Sequence, residues 1–223
     1  MLAPPYFLVF FCVSGRLFYV NIKIMKTYTI IFVGPQGSGK GTQIALLSDV
    51  LKANDRETRV IDIQTGRRFR ALAAKEEGFT EKKVSKTLVT GALQPLFLSV
   101  VLWGDAFHHH VDTECHLLID GVPRTVHEAE VLESALLFYE RKNLLIINLE
   151  TSENIVRERM IKRARKDDTT ESIEERLNWY KEETAPVLDY YLKRPDTTVV
   201  DIDGTGTIEE VQAGILSHLK LTI

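Results

Sequence analysis

Tyr28-Thr29-Ile30-Ile31-Phe32-Val33 runs directly into Gly34-Pro35-Gln36-Gly37-Ser38-Gly39-Lys40-Gly41-Thr42-Gln43, and this junction decides the fold class. The four consecutive apolar residues Ile30 to Val33 suit a strand buried on both faces, as a parallel sheet between helix layers requires. The stretch after them fits G-x-x-x-x-G-K. Its glycines let backbone N–H groups wrap around phosphate oxygens, the helix N-terminus that follows adds partial positive charge, and Lys40 reaches the β and γ phosphates. Gly34, Gly37, Ser38, Gly39, Lys40, Gly41 and Thr42 are therefore the phosphate-binding candidates. The hydroxyl that usually follows the lysine is displaced by one position, because Gly41 stands there and Thr42 comes next. From about Gly41 to Ala53, Ile44, Leu47, Val50 and Leu51 fall on one helical face.

Outward from this junction the chain alternates short β-rich apolar runs with helix-period stretches. The further strands are expected at Thr58–Ile63, His116–Asp120, Leu144–Leu149 and Thr198–Ile202. Strand-helix alternation of this kind argues for an α/β protein, here with a parallel five-stranded sheet flanked by helices. Residues 65–111 show no strand-like alternation and read as several short helices, an insertion large enough to be a subdomain. There are no internal repeats.

With 223 residues, 44% hydrophobic and 26% charged, and a formal net charge of −3, the chain has the composition of an ordinary globular protein. That balance argues against a basic duplex-binding protein, so no nucleic-acid partner is expected. The two cysteines, Cys12 and Cys115, show neither metal-ligand spacing nor a disulfide framework, which points to a reducing, cytoplasmic setting. Residues 1–24 contain the apolar run Phe7–Val13, too short to span a bilayer and without preceding basic residues; Arg16 comes after it. No membrane partner is expected. We read residues 1–24 as an N-terminal extension upstream of a natural start at Met25, and residues 25–223 as the functional domain.

Asp120-Gly121-Val122-Pro123-Arg124-Thr125 ends the third strand of the sheet, where a parallel α/β sheet places its ligands. An acid there can hold Mg²⁺ through water, since Mg²⁺ keeps much of its hydration and takes few carboxylates. Alone, Asp120 is equally a strand-end turn residue and Arg124 equally half of a surface ion pair. The ordered set of motifs, however, resembles the adenylate kinases and related nucleoside monophosphate kinases. Gly34–Gln43 looks like their phosphate loop, and Asp120–Thr125 resembles D-G-F-P-R-T with Val122 in place of the aromatic. Gln64-Thr65-Gly66-Arg67-Arg68-Phe69-Arg70 is similar to S-T-G-D-x-x-R. Arg159 to Arg163, then Arg165 to Asp168 and Arg176, look like the family's R-x-x-x-R helix, short lid and R-x-D-D…R set. Thr184-Ala185-Pro186-Val187-Leu188-Asp189-Tyr190-Tyr191 matches a further family pattern, and the resemblance runs from about Thr27 to the C-terminus.

The resemblance implies a P-loop NTPase-type fold with a helical monophosphate-binding insertion at 65–111 and a short lid at 163–176. It implies transfer of the γ-phosphoryl group of Mg·ATP to a nucleoside monophosphate, AMP first because of Thr65, by a monomer. Arg70 and Arg124 would clamp the monophosphate, with Thr65 and Gly66 beside them, since guanidinium forks suit phosphate oxygens. Arg163, Arg165 and Arg176 would meet the transferred group together with Lys40 and Arg124, where spreading negative charge must be neutralised. Arg159, one helical turn before Arg163, would stack on the ATP adenine. Asp120 would hold Mg²⁺ through water. Taken singly, these arginines suit a solvated helix face beside Glu153, Glu158 and Glu175.

Two residues depart from the family pattern. Arg67 stands where T-G-D has its acid, and Glu128 stands where a glutamine reads the adenine edge of the monophosphate. Both put base preference and Mg²⁺ use in question, so GMP, a pyrimidine monophosphate and a non-catalytic nucleotide-binding module stay open as alternatives. The 163–176 segment has no cysteine, so no zinc-stapled lid is expected. His108-His109-His110 are read as a polar helix end, because adjacent helical residues point in different directions. Trp103, Trp179, Tyr190 and Tyr191 are read as packing residues.

Overall fold

The computed structural model describes residues 6–13, 16–23 and 27–221. β1 (Tyr6–Val13) and β2 (Arg16–Lys23) pair antiparallel, from Tyr6 opposite Lys23 to Val13 opposite Arg16, and join no other described strand. This ribbon takes up the apolar run Phe7–Val13, a pairing not anticipated from the sequence. Met25, the expected start, lies outside the described residues.

β3 (Thr29–Val33), β4 (Val60–Gln64), β5 (His116–Asp120), β6 (Leu144–Glu150) and β7 (Thr197–Asp203) form a five-stranded sheet in the order β4-β5-β3-β6-β7. All of its pairings are parallel, as the buried apolar runs require. The helices are α1 (Lys40–Asn54), α2 (Thr65–Ala73), α3 (Phe79–Thr90), α4 (Leu96–His110), α5 (Val126–Phe138), α6 (Glu153–Arg163), α7 (Thr170–Trp179), α8 (Ala185–Leu192) and α9 (Ile208–Leu219). The expected helical insertion is thus α2 to α4, and a π-helical turn (Tyr180–Thr184) joins α7 to α8.

Strand alternation sorts the core into two layers. Ile30 and Phe32 pack with Ile44, Leu47 and Leu51 of α1 and with Ile215 and Leu219 of α9. Ile31 and Val33 face the other way, onto Trp103 and Phe107 of α4, Leu132 and Leu136 of α5, and Val187 and Tyr191 of α8. Each such side chain, fully withdrawn from water, contributes about 1.5–3 kcal/mol. At the far end of the sheet Arg141 is buried by donating to the carbonyls of Tyr28, Asp112, Thr113 and Cys115 and to Thr29 Oγ1. A buried guanidinium needs that many acceptors, so Arg141 is a structural residue.

The sheet register positions the site. Phe32 lies beside Asp120, and Asp120 beside Gln64. The starts of the phosphate loop, of α2 and of the Gly121–Arg124 turn therefore sit next to one another at the carboxyl ends of three neighbouring strands, the place where open α/β sheets bind ligands.

Candidate active site

Backbone geometry first shapes the loop after β3. Gly39 caps α1 with φ +104°, and Gly37 has φ +94° with no room for a side chain, since a β-carbon there would come within 2.8 Å of Met160 Cγ. Both conformations favour glycine. Lys40, the first residue of α1, folds back: its ammonium donates to Gly34 O (2.7 Å), Pro35 O (2.8 Å) and Ser38 Oγ (3.4 Å). The loop and the lysine charge are thereby one unit.

A cleft of about 490 Å³ opens over the strand ends, within the range typical of small-molecule sites. Among the described residues seven cations line it, Lys40, Arg67, Arg70, Arg124, Arg159, Arg163 and Arg165, against one carboxylate, Asp120. Burial lowers the pKa of Lys40; Asp120 opposes that shift, and the charges of Arg124 and Arg163 add to it. Arg70, Arg124 and Arg165 are lowered too, in each case first by burial and then by neighbouring guanidiniums, with nearby carboxylates opposing. Side chains that press on one another's charge in a shared cleft mark an anion site, because a bound polyanion relieves all of them together.

The expected clamp residues converge. A β-carbon on Gly66 would lie 3.6 Å from Arg70 Nη1 and 3.8 Å from Arg124 Nη2, and one on Gly121 would lie 3.4 Å from Arg124 Nη2. The two guanidiniums therefore meet beside Gly66, and Arg124 also lies beside Gly121, near Thr65, whose buried hydroxyl has no hydrogen-bond partner. Arg124 is held from four sides. Its Nε donates to Gly121 O (2.9 Å), its N–H to Glu128 Oε2 (2.7 Å), its carbonyl accepts from Thr184 Oγ1 (2.8 Å), and its guanidinium lies 5.4 Å over the Trp179 ring. Thr184, part of the family-like motif near residue 190, thus acts as a positioning residue.

The segment expected as a short lid forms a turn between α6 and α7. Asp168 accepts from Arg163 Nε (2.8 Å) and Nη2 (2.9 Å) and from Arg176 Nη1 (2.8 Å), while Arg176 Nη2 donates to Asp167 Oδ2 (2.7 Å) and to Leu88 O (3.1 Å). Arg176 is consequently buried at the contact of α7 with α3, lining a second, smaller cavity with Arg70 and Arg124, whereas Arg163 and Arg165 line the main cleft. Arg159 Nη1 donates to Ser38 O (3.2 Å) and Gly204 O (2.8 Å) and so bridges the phosphate loop to the β7–α9 connection. Gly204, Gly206, Thr207, Ile208 and Val211 complete that end of the cleft. None of these five was singled out from the sequence; only their position after the last strand hinted at them.

Glu128 differs from expectation. It lines neither cavity and is 2% exposed, with Oε1 accepting from Ser99 Oγ (2.5 Å) and Trp103 Nε1 (3.3 Å) and Oε2 from the Arg124 N–H. A buried carboxylate needs donors, and these three occupy it. Trp179 also exceeds its expected packing role: it lines the cleft and donates from Nε1 to Gly91 O (2.9 Å). His108 to His110 end α4 in exposed positions, and among the described residues no cluster of three or more His, Cys, Asp or Glu is arranged to hold a metal ion. No helix among them is long and apolar enough to cross a membrane.

A glycine-rich loop behind the central strand of a parallel sheet, facing paired guanidiniums across a cationic cleft, defines a P-loop phosphotransferase. Residues 32–195 match the family model for adenylate kinase. The chain is 35% identical over 190 residues to an adenylate kinase of Corynebacterium urealyticum, covering 85% of this chain and 98% of that protein. It is 37% identical over 190 residues to the adenylate kinase of Corynebacterium aurimucosum, covering 85% and 97%, and 35% identical over 190 residues to that of a Cyanothece species, covering 83% and 92%. The chain belongs to the adenylate kinase family. It is a nucleoside monophosphate kinase, an enzyme of phosphoryl transfer between ATP and a nucleoside monophosphate.

Proposed function

We propose that this chain moves the γ-phosphoryl group of Mg·ATP to AMP, working as a monomer whose residues 25–223 form one kinase domain. The convergence of Arg70 and Arg124 on Gly66, beside the Lys40 loop in the same cleft, carries the reading. ATP phosphates would lie in the loop from Gly34 to Thr42, with the adenine toward Arg159 and the β7–α9 connection. The monophosphate would meet Arg70, Arg124, Thr65 and Gly66, with the 65–111 segment closing over it and the 163–176 lid bringing Arg163 and Arg165 onto the transferred group. This chain's part is positioning, charge neutralisation and exclusion of water, with no covalent enzyme intermediate. The donor set fits Mg²⁺: among the described residues Asp120 is the one carboxylate lining the cleft, and one or two carboxylates suffice for Mg²⁺ when substrate phosphates and waters supply the other oxygens. Bound there, Mg²⁺ would neutralise phosphate charge. A coupled assay over AMP, GMP, CMP and UMP tests the assignment. AMP is expected to turn over fastest; a faster second substrate would reassign the base, and four inert substrates would overturn the reading.

Arg67 opposes the metal. It is exposed, lines the same cleft as Asp120, and its charge acts on Asp62, whose carboxyl burial raises and Gln64 and Arg67 pull back. Arg67→Asp should lower the Mg²⁺ concentration for half-maximal activity about fivefold, since a unit charge some 4 Å away in water is worth about 1 kcal/mol. An unchanged or higher requirement would show that Arg67 does not act on the metal.

Residues 1–24 should be dispensable, because the β1–β2 ribbon pairs with no strand of the sheet. Removing them is expected to leave activity and unfolding temperature unchanged. Unfolding or inactivity of the shortened chain would place the ribbon in the working structure.

A further inference from the structure

Trp179, Thr184 and the turn between them lie against Arg124. The turn is π-helical: the Ala185 N–H donates to Tyr180 O, five residues back instead of four. Pro186 follows in the first turn of α8, and in an uninterrupted α-helix its ring would clash with the carbonyl four residues earlier, that of Glu182. Wider winding avoids the clash. It also changes which side chains share a side. In an α-helix residues five apart are turned about 140° from one another, whereas bonding from i to i+5 brings them nearly one above the other. Trp179 and Thr184, five apart, both reach Arg124: the guanidinium lies 5.4 Å from the centroid of the tryptophan ring, and the threonine hydroxyl donates to the arginine carbonyl (2.8 Å).

Arg124 needs such support. Among the described residues its side chain donates to one protein group, from Nε to Gly121 O (2.9 Å), which leaves both Nη groups for a phosphate. One bond fixes a point of the guanidinium but leaves its plane free to turn, and a planar fork pairs with phosphate oxygens only when that plane is set. The Trp179 ring supplies the plane. It is itself held, because it is buried and its Nε1 donates to Gly91 O (2.9 Å). We infer that Trp179 and Thr184, brought to one side by the π-helical turn, are positioning residues for the monophosphate, setting the plane and the backbone of Arg124 so that its fork meets the phosphate. This rests on the reading of Arg70 and Arg124 as the monophosphate clamp.

Calorimetric binding of AMP to the full chain, with the KM for AMP and for ATP, tests it. Trp179→Leu should weaken AMP about tenfold or more, and Thr184→Val, which keeps the outline without the hydroxyl, about two- to tenfold, while the KM for ATP stays within about twofold of native. Thr184→Ser should restore native AMP binding. Trp179→Phe, which keeps an aromatic face without the N–H, should lose less than Trp179→Leu. The decisive comparison uses Arg124→Ala: in that background neither Trp179→Leu nor Thr184→Val should weaken AMP further, because no guanidinium remains to be aimed. Losses that persist in that background would overturn the inference by showing a general structural role. Native AMP affinity in Thr184→Val, or an equal loss of AMP and ATP, would overturn it too, and Thr184→Val keeps the test decisive if Trp179→Leu does not fold. An Arg124→Ala chain that binds AMP as the native one does would instead overturn the reading of the clamp itself, and the inference with it.

Discussion

Lys40→Met is expected to reduce turnover by about a thousandfold or more while leaving the unfolding temperature within a few degrees of the native value. The lysine charge is positioned by the loop: three oxygens, Gly34 O, Pro35 O and Ser38 Oγ, receive its protons. Burial and the neighbouring Arg124 and Arg163 disfavour that charge until an anion arrives, so its electrostatic value is realised with phosphates bound. A single preorganised donor on developing charge is worth about 10²–10³ in rate, and a cation on a transferring phosphoryl group about 10³–10⁵. Stability is another matter. Methionine fills the same path along the loop; of the two carbonyls it leaves, that of Gly34 lines the cleft and that of Pro35 still accepts from the Ser38 N–H (3.2 Å), for a cost of about 1 kcal/mol. Thermal unfolding and single-turnover transfer, measured on the same preparation, check both halves. Turnover within tenfold of native would show that the charge at position 40 is not used in the reaction.

How legible the site was in the sequence depended on whether a residue's role is local. The strand-loop-helix junction at Val33–Lys40, the helical insertion and the strand-end Asp120 follow from patterning and from the backbone needs of a phosphate loop, all within a few residues of one another. Partners that come from far along the chain were not readable. Arg176 was expected on the transferred phosphoryl group, but Leu88 O, 88 residues away, and the Asp167–Asp168 pair draw it into the contact of α7 with α3. Glu128 matched a base-reading position by alignment of motifs, yet Ser99 and Trp103 of α4 supply donors that turn its carboxylate into the core. Trp179 likewise read as apolar packing, because neither its cation–π contact with Arg124 nor its bond to Gly91 O has a sequence signature.

Asp168→Asn should lower the unfolding temperature by roughly 6–20 °C near neutral pH. Its side chain is fully buried between Arg163 and Arg176, and Arg176 is itself 3% exposed. Asparagine keeps the outline but presents an amide N–H₂ to a guanidinium donor and leaves Arg176 with Asp167 alone as counter-charge. Breaking a buried ion pair by removing one partner costs about 3–5 kcal/mol, and in a domain of this size each kcal/mol is worth about 2–4 °C. The pH dependence has a definite sign. Burial by itself would raise the Asp168 carboxyl, but its bonds to Arg163, with the charges of Arg163 and Arg176, outweigh that and hold it below the ordinary aspartate value. The stabilisation is therefore complete above the unfolded-state value of about 3.9 and is lost as pH falls through the lower, folded-state value. The difference in unfolding temperature between native and variant should stay constant from pH 8 to about 5 and narrow below about 4. Activity should fall as well, by about a hundredfold, because Arg163 loses the carboxylate that aims it into the cleft. A temperature shift under about 2 °C, or a difference that widens in acid, would mean that Asp168 does not anchor the two guanidiniums in solution.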